Sequence, residues 1–369
     1  MNSNSRRALK VIISGGGTGG HIFPALSIAD ALKRANPRTE ILFVGAENRM
    51  EMEKVPAAGY RIVGLPVAGF DRKRLWRNFK VLAMLMKSMA KAKKVVKEFN
   101  PDVAVGVGGY ASGPVLKQAQ TAGIPTVLQE QNSYPGVTNK MLAPKAQAIC
   151  TAYQDMERFF PAEAIVLTGN PVRVALTECA LTRKEACEDL GFDPEKPLLF
   201  VTGGSLGART INQSVEVALK QFDEAGIQVL WQTGKLYADE CGKVAEGYPL
   251  VKAMPFIGDM AAAYRAADLV VARAGAGTIS ELELLGKPAI LIPSPNVAED
   301  HQRKNAEALT SRGAAIMILD ADAPAQLGEK VCALITDREA LDSLGNAIAA
   351  LAKENSAEQI VDVIYSVVS

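Results

Sequence analysis

Short apolar runs rich in β-branched residues alternate with longer segments of helical period along the whole chain. This alternation limits the fold more than any other feature, because strands separated by helices form parallel sheets covered on both faces. The first half has five such runs, at 9–14, 40–45, 102–107, 125–130 and 164–168. The second half has six, at 197–202, 227–233, 251–257, 268–272, 288–293 and 314–319. The sequence therefore predicts an α/β protein with two doubly wound parallel sheets.

The length of the chain also indicates two domains. At 369 residues it exceeds what one hydrophobic core usually organises, since domains commonly hold about 100–200 residues. The segment TGNPVR at 168–173 interrupts the strand–helix alternation with a glycine, an asparagine and a proline. We expect domains at 1–172 and 173–346, with a last helix at 347–369 that crosses back to the first domain.

Charge and cysteine content exclude several classes of protein. Lysine and arginine total 41 against 40 acidic residues, so no overall field favours a nucleic-acid partner. The five cysteines are scattered without metal-ligand spacing, which argues against a disulfide framework or a zinc site. The N-terminus is short and polar, and no apolar run reaches the roughly 18 residues of a spanning helix. We expect a protein of the cytoplasm or of the cytoplasmic face of a membrane.

A glycine-rich loop, SGGGTGGH at 14–21, follows the first predicted strand and opens a helix. Glycines let the backbone approach a ligand closely, and N–H groups at a helix start attract an anion or sugar oxygens. Gly15, Gly17 and Gly20 match the GxGxxG spacing of dinucleotide-binding proteins. That alternative also requires an acidic residue at the end of the second strand, where Glu47 comes late. The loop therefore favours a sugar or phosphate ligand over a dinucleotide.

Two further polar segments follow strands of the same predicted sheet. GVGGYASGP at 106–114 is a second glycine cluster, and QEQN at 129–132 supplies Glu130 and Asn132. Carboxyl ends of parallel strands meet at one edge of a sheet, so we expect these residues to line one crevice with the first loop. Histidine titrates near neutrality, which makes His21 suitable as a general base or sugar anchor. The alternative is a histidine that only caps a turn.

The second half contains two comparable loops. GGSLGAR at 203–209 joins a strand to a helix, where Ser205 and the helix start suit a phosphate. RAGAGTISE at 273–281 does the same and ends on Glu281. The spacing of Thr278 and Glu281 fits a capping box, in which Glu281 only binds backbone N–H groups. The alternative is that Glu281 accepts hydrogen bonds from the hydroxyls of a ribose.

The motif Asp320-Ala321-Asp322 matches the DxD signature by which other transferases bind a metal ion. It lies at a strand end just before Ala323 and Pro324, where turn and cap roles suffice. We predict no metal site, and no cofactor, for this chain.

The segment 72–97 is strongly basic and contains no acid. Apolar residues recur in it at helical spacing, with Trp76 and Phe79 among the basic residues. One face of such a helix packs into a core, but aromatic and basic residues together suit anionic lipid headgroups, at about 1 kcal/mol per basic residue. We therefore predict peripheral membrane contact through 72–97. The ten basic residues are Arg72, Lys73, Arg74, Arg77, Lys80, Lys87, Lys91, Lys93, Lys94 and Lys97.

Seven blocks of sequence recur in the order of a known family. They are GGGTGGHIFPALSIADAL at 15–32, GVGGYASGP at 106–114, QEQNSYPGVTNK at 129–140, TGNPVR at 168–173, GGSLGA at 203–208, AGTISELELLGKPAILIP at 276–293 and EDHQRKNA at 299–306. Each block alone is weak evidence, but together they cover nearly the whole chain and resemble the MurG family. These are the N-acetylglucosaminyltransferases of bacterial peptidoglycan synthesis.

The resemblance implies a GT-B fold, with two Rossmann-like domains facing across a cleft. It implies inverting transfer of N-acetylglucosamine (GlcNAc) from UDP-GlcNAc to the C4 hydroxyl of N-acetylmuramic acid (MurNAc) in lipid I, which is undecaprenyl-pyrophosphoryl-MurNAc-pentapeptide. The product is lipid II. It also implies a peripheral protein on the cytoplasmic face of the bacterial inner membrane, with partners among the proteins of cell-wall synthesis and division.

The resemblance also implies roles for single residues. Two of them, His21 and Glu130, are the candidates for the base that activates the acceptor hydroxyl, and His21 is the first choice. The residues implied in the first half are Thr18, Gly19 and Gly20 beside donor sugar and acceptor, and Asn132 on the sugar. Arg173 is implied to reach in from the TGNPVR segment between the two domains. Those implied in the second half are Ser205 on the diphosphate, Ile257 on uracil through its backbone, Ala276, Gly277, Thr278, Ile279 and Ser280 on the nucleotide, Glu281 on the ribose, and Gln302 on the sugar hydroxyls.

Two positions depart from the family's pattern. Leu206 stands where the family often has glutamine, and Ala274 where serine is common, so side-chain contacts at these positions are lost or replaced. Neither change removes a backbone N–H group. Three other functions remain open: a diacylglycerol glycosyltransferase, a UDP-GlcNAc 2-epimerase, and a protein that binds nucleotide sugars without turnover.

Overall fold

The computed structural model describes residues 6–67, 78–204 and 206–369, without the side chains at 78–80, 174 and 298. The chain divides into two compact units. Unit 1 comprises Met1–Val172 and Lys353–Ser369, and unit 2 comprises Arg173–Ala352. The first crossing between the units therefore falls inside the TGNPVR segment.

In the residues that the structure describes, each unit contains one sheet, and every strand pair in both sheets is parallel. Within the described residues, the strands of unit 1 are β1 (Lys10–Ser14), β2 (Glu40–Ala46), β3 (Arg61–Leu65), β4 (Val103–Gly106), β5 (Thr126–Glu130), β6 (Ala148–Thr151) and β7 (Ile165–Leu167). Those described in unit 2 are β8 (Leu198–Thr202), β9 (Gln228–Gln232), β10 (Val251–Met254), β11 (Leu269–Ala272), β12 (Ala289–Leu291) and β13 (Ile316–Met317).

The strand order determines where a ligand would bind. It is β3-β2-β1-β4-β5-β6-β7 in unit 1 and β10-β9-β8-β11-β12-β13 in unit 2. Each order reverses once, between β1 and β4 and between β8 and β11. In doubly wound sheets, ligands bind beyond the carboxyl ends of the strands at such a reversal. All four of the reversal strands lead into the glycine-containing loops singled out in the sequence.

Helices connect the strands. They are α1 (Gly19–Ala35), α2 (Glu51–Ala57), α3 (Asn78–Phe99), α4 (Ser112–Thr121), α5 (Val137–Leu142), α6 (Val174–Thr177), α7 (Arg183–Asp189), α8 (Arg209–Glu224), α9 (Ala238–Ala245), α10 (Met260–Ala266), α11 (Ala276–Leu285), α12 (His301–Thr310), α13 (Ala323–Ile335), α14 (Arg338–Ala349) and α15 (Ser356–Val367). Short 3₁₀ turns lie at Ala143–Lys145, Ala162–Ala164, Ala298–Asp300 and Asp320–Asp322. In the described part of the chain, no helix is long and apolar enough to cross a membrane.

The end of the chain differs from the single helix predicted over 347–369. The helix α14 ends at Ala349, and α15 begins at Ser356 after Asn355, whose φ of 54° lies in the left-handed region that a helix cannot continue through. In α15, Ile360 and Ile364 are fully buried in the same core as strand β1. The C-terminal helix therefore completes the core of unit 1.

Candidate active site

A buried carboxylate holds the glycine-rich loop after β1. Glu51, the first residue of α2, is 1% exposed, and both of its oxygens accept from the N–H of Gly17 at 3.1 Å. Its Oε1 also accepts from the N–H of Ala46 at 2.9 Å. Gly16 has a φ of 149°, and a Cβ there would lie 2.1 Å from Glu51 Oε1, so only glycine fits. Glu51 was not singled out in the sequence, because it lies far along the chain from the loop.

The same contacts bear on the dinucleotide alternative. A pyrophosphate would need the backbone N–H groups of this loop, but the N–H of Gly17 already donates to the Glu51 carboxylate. Glu47, which was considered for a ribose contact, instead pairs with Lys91 at 2.8 Å. Both contacts disfavour a dinucleotide at this loop.

His21 lies in the first turn of α1, beside both glycine loops of unit 1. Its Nδ1 is 3.1 Å from the carbonyl oxygen of Gly16 and 3.2 Å from Thr18 Oγ1. A carbonyl oxygen only accepts, so Nδ1 carries the hydrogen and the lone pair of the neutral ring is on Nε2. A Cβ on Gly108 would lie 2.9 Å from Nε2, so the second loop passes directly against the imidazole.

Three of the predicted substrate residues lie at the start of α1. The helix begins at Gly19, and Thr18 is its N-cap without a side-chain cap hydrogen bond. Thr18 and Gly20 are exposed, while Gly19 is half-buried against Phe23. The N–H groups of this first turn suit oxygens of a sugar.

Glu130 is buried and surrounded by donors. One carboxylate oxygen accepts from the backbone N–H and the side-chain amide of Asn132 at 3.0 and 3.2 Å. The other accepts from the N–H of Gly136 and the amide of Asn139 at 3.1 and 2.9 Å. Burial raises the pKa of Glu130, and these four hydrogen bonds oppose that effect. The contacts make Glu130 the centre of the loop that carries Asn132.

Buried amides connect this loop to the TGNPVR segment. The Gln129 amide donates to Asn170 Oδ1 at 2.9 Å, and the Asn170 amide donates to the carbonyl of Gln131 at 3.0 Å. The Gln131 amide donates to the carbonyl of Val107 at 2.9 Å, in the second glycine loop. These residues were not predicted to act together; their one signal in the sequence is amide side chains at the end of an otherwise apolar strand.

In unit 2, the loop after β8 packs backbone against backbone. Gly207 has a φ of 80°, and a Cβ there would lie 2.1 Å from the carbonyl oxygen of Thr233. The helix α8 follows, with Ala208 as N-cap and without a side-chain cap hydrogen bond. Its first-turn N–H groups suit a phosphate. Ser205, predicted to bind the diphosphate, lies outside the described residues, and Leu206 is exposed.

Gln232 links this loop to Ile257, the residue predicted to bind uracil. Its amide donates to Thr202 Oγ1 at 3.0 Å, and its Oε1 accepts from the N–H of Ile257 at 3.1 Å. The N–H of Ile257 is therefore used within the unit. A backbone contact to the base would come from the carbonyl of Ile257.

Glu281 does not form the capping box that its spacing from Thr278 suggested. The N-cap of α11 is Gly275, so Thr278 lies inside the first turn. Instead, the Glu281 carboxylate accepts from Arg173 Nη2 at 3.0 Å and from the hydroxyl of Tyr264 at 2.9 Å. Tyr264 is fully buried, and its burial, reinforced by Glu281, holds the pKa of its hydroxyl well above the ordinary value. Arg173 and Glu281 are thus brought together, with Tyr264 as an unpredicted third member.

The first two turns of α11 contain the other residues predicted to contact the nucleotide. Ala276, Ile279 and Ser280 are buried, while Gly277 and Thr278 are partly exposed. The helix start therefore presents backbone N–H groups and little side-chain bulk.

Gln302 lies in the first turn of α12, and its Oε1 accepts from the N–H of Ser294 at 2.8 Å, in the loop after β12. The two residues before this helix, Glu299 and Asp300, have φ of 56° and 53°. Consecutive non-glycine residues in this region carry backbone strain, which concentrates at functional sites. The strained turn directs the start of α12 to the β12 loop.

Asp320 of the DxD motif is used within unit 2. It accepts from Thr210 Oγ1 at 2.8 Å and forms an ion pair with Arg273. Arg273 in turn donates to the carbonyl of Ile292 at 3.0 Å. These contacts join α8 to the segments that follow β11 and β12 and give Asp320 a structural role.

Comparisons with known proteins agree with this arrangement. The model of the glycosyltransferase family 28 N-terminal domain matches residues 11–151, and that of the C-terminal domain matches residues 198–362. A relative from Parabacteroides distasonis is 55% identical over 98% of this chain and 99% of its own length. One from Phocaeicola vulgatus is 57% identical over 97% and 96%. Both are named UDP-N-acetylglucosamine–N-acetylmuramyl-(pentapeptide) pyrophosphoryl-undecaprenol N-acetylglucosamine transferase.

The chain belongs to the MurG family of glycosyltransferase family 28. The crystal structure of Acinetobacter baumannii MurG is similar, with a TM-score of 0.78 at 29% identity over 97% of this chain and 99% of that one. A UDP-N-acetylglucosamine 2-epimerase has a TM-score of 0.65 at 13% identity, over 97% and 96%, and shows the fold alone. The predicted GT-B fold class is confirmed, with one Rossmann-like sheet in each unit.

Proposed function

We propose that the protein transfers GlcNAc from UDP-GlcNAc to the C4 hydroxyl of MurNAc in lipid I, with inversion, and so forms lipid II. The observation that carries the proposal is identity of 55% over 98% of the chain to a relative named as this transferase. The hydrogen bonds of Glu51, Glu130 and Gln232 around the glycine loops are observed in this chain itself and do not depend on that relative.

Unit 2 binds the donor in this proposal. The N-terminus of α8, with Ser205, receives the diphosphate, and the helix dipole stabilises the charge that develops on the leaving UDP. Residues 276–280 contact the nucleotide, Ile257 the uracil through its carbonyl, and Gln302 the sugar hydroxyls. Glu281 binds the ribose. The Arg173 and Tyr264 contacts support this role because they fix the direction of the carboxylate.

Unit 1 binds and activates the acceptor. His21 Nε2 takes the proton of the C4 hydroxyl as that oxygen attacks the anomeric carbon and the bond to UDP breaks. Thr18, Gly19 and Gly20 lie beside the reacting sugars, and Asn132 holds one of them. Glu130 is the poorer candidate for the base, because its two oxygens already accept four hydrogen bonds. We assign it the positioning of Asn132.

The test is release of UDP from UDP-GlcNAc with a short-chain lipid I analogue, with diacylglycerol, and without acceptor. We expect release that depends on the lipid I analogue. Release with diacylglycerol alone would indicate the rival glycosyltransferase, and free N-acetylmannosamine without acceptor would indicate an epimerase. Binding of UDP-GlcNAc without turnover under any condition would contradict an enzyme.

We further propose peripheral contact with an anionic membrane, at the cytoplasmic face of the inner membrane where the other proteins of cell-wall synthesis and division act. Residues 72–77 of the predicted segment lie outside the described residues. In α3, one face is buried at Ser88, Ala92 and Val96, while Leu82 and Met86 are 52% and 66% exposed. Lysines at 87, 93, 94 and 97 are exposed as well. Exposed apolar residues beside lysines suit the headgroup region.

This contact is tested by sedimentation with vesicles of phosphatidylglycerol and phosphatidylcholine, against phosphatidylcholine alone. Replacing Leu82 and Met86 with serine is expected to weaken binding to the anionic vesicles. Val217→Ser is the matched control, because Val217 is 64% exposed but lies in α8 of unit 2. Equal losses in both variants, or equal binding to both vesicles, would contradict the proposal.

A further inference from the structure

We propose that Glu51 is a positioning residue that sets the tautomer of His21 through the peptide bond between Gly16 and Gly17. The proposal rests on the assignment of His21 as the base. It adds a carboxylate that lies 30 residues along the chain from the histidine and touches neither substrate.

The connection runs through a single amide group. The N–H of Gly17 donates to both oxygens of Glu51 at 3.1 Å. The carbonyl of the same peptide bond is that of Gly16, and its oxygen lies 3.1 Å from His21 Nδ1. The order is therefore carboxylate, amide N–H, amide carbonyl, and imidazole Nδ1–H.

Hydrogen bonds in series polarise one another. An amide whose N–H is bound to a carboxylate carries more negative charge on its oxygen, which makes it a stronger acceptor for the Nδ1 hydrogen. The neutral ring then keeps its lone pair on Nε2, and the imidazolium that forms on proton transfer is stabilised. The aspartate of a Ser-His-Asp triad has the same two effects by direct contact; here one peptide group lies between.

The surroundings keep this geometry rigid. Glu51 is 1% exposed, and its third contact, from the N–H of Ala46, anchors the carboxylate to the end of β2. A side chain at position 16 or 45 would overlap Glu51, so glycine at both positions leaves room for it. On the far side of the imidazole, Gly108 lets the second loop approach Nε2.

Glu51→Gln separates charge from shape. The glutamine keeps the size of the side chain and one oxygen that accepts from the Ala46 and Gly17 N–H groups, but it removes the carboxylate. Glu53→Gln is the matched control, because Glu53 lies in the same helix with its side chain 81% exposed. Glu51→Asp keeps the charge with a shorter reach and should restore part of the effect.

Nitrogen-15 NMR of histidine-labelled protein reads the tautomer directly. The chain has only two histidines, so the signals lost in His21→Ala belong to His21. We expect the Nδ1–H form in the wild type above neutral pH, and a shift toward the Nε2–H form in Glu51→Gln. We also expect kcat to fall about tenfold, a part of what a general base contributes, with KM for UDP-GlcNAc unchanged within about twofold.

An Nε2–H tautomer in the wild type would overturn the proposal, and this measurement does not depend on any variant that folds poorly. A Glu51→Gln protein that loses activity with an unchanged tautomer would overturn it too, since the role of Glu51 would then be only structural. The proposed function fails separately. If His21→Ala kept the wild-type kcat, His21 would not be the base, whatever tautomer Glu51 imposes.

Discussion

Glu281→Gln tests whether the carboxylate that joins Arg173 and Tyr264 also binds the nucleotide. The glutamine keeps two hydrogen-bonding atoms at the same positions, so Arg173 Nη2 and the Tyr264 hydroxyl both retain partners. What is lost is the charge. Hydrogen bonds to a charged group contribute about 1.5–3 kcal/mol and neutral ones about 0.5–1.5 kcal/mol, so each retained contact weakens by about 1 kcal/mol. Arg173 is partly exposed, which reduces its share. We expect the free energy of unfolding to fall by about 1–2 kcal/mol.

A ribose hydroxyl that donates to the same carboxylate would lose a similar amount. We therefore expect the Kd for UDP to rise about tenfold, since 1.4 kcal/mol is a factor of ten. Isothermal titration with UDP measures the Kd, and denaturant unfolding measures the stability. Tyr264→Phe is the control, because it removes a hydroxyl that bonds Glu281 but keeps the carboxylate. It should cost about 1 kcal/mol of stability and change the Kd by less than about twofold.

The two variants distinguish the two roles of Glu281. If Glu281→Gln lowered stability but bound UDP like the wild type, the carboxylate would be an internal contact only. The assignment to the ribose would then be wrong.

Three further predictions concern single positions. Gly108→Ala should reduce kcat by more than about a hundredfold with the Kd for UDP unchanged, because its Cβ would lie 2.9 Å from His21 Nε2 at a φ of 92°. Turnover like the wild type would show that the close approach of the Gly108 loop to His21 is not needed. Glu130→Gln should lower the free energy of unfolding by about 2–4 kcal/mol in urea titrations. The NH₂ group of the glutamine would replace one oxygen and would face two N–H donors without being able to accept from them. An unchanged urea midpoint would contradict the role of these hydrogen bonds. Burial lowers the pKa of Lys287 from 10.5 to about 8, so the unfolded chain binds more protons between these values and stability should rise with pH from about 8 to 10.5. Lys287→Met should flatten that rise, and identical pH dependence in both proteins would contradict the shift.

Local patterns were sufficient to predict most of the sheets. All six strands of unit 2 were expected from apolar runs, and β8, β9, β11 and β12 are buried throughout, as parallel strands covered on both faces are. In unit 1, β3 and β6 were missed. The strand β3 lies at the edge of the sheet, and its short apolar run is interrupted by Gly64 and followed by Pro66, residues typical of turns. The strand β6, Ala148–Thr151, has Ile149 as its only large aliphatic residue, so its composition gives a weak strand signal.

The candidate site was predictable where the chemistry is local. The glycine loops, His21 and Glu281 were singled out because each lies in a strand–helix loop or in the first turns of the helix that follows, and the strand order brings the loops of each unit to the reversal of its sheet. The partners that hold these residues were not predictable. Glu51 reaches the first loop from another helix, and Tyr264 reaches Glu281 from α10. Such contacts depend on tertiary packing, which brings together residues that have no characteristic separation along the sequence. The capping-box interpretation failed because the N-cap of helix α11 is Gly275, three residues before Thr278, the residue that the motif requires at the N-cap.

The structure of the product tests the proposed transfer most directly. Purified protein is incubated with UDP-GlcNAc and a short-chain lipid I analogue, and the linkage of the new disaccharide is read by proton NMR. Attack by the C4 hydroxyl in a single displacement predicts a β-linked GlcNAc on C4 of MurNAc, with one UDP released for each linkage formed. An α-linkage, a different position of attachment, or UDP release without a disaccharide would contradict the proposed transfer.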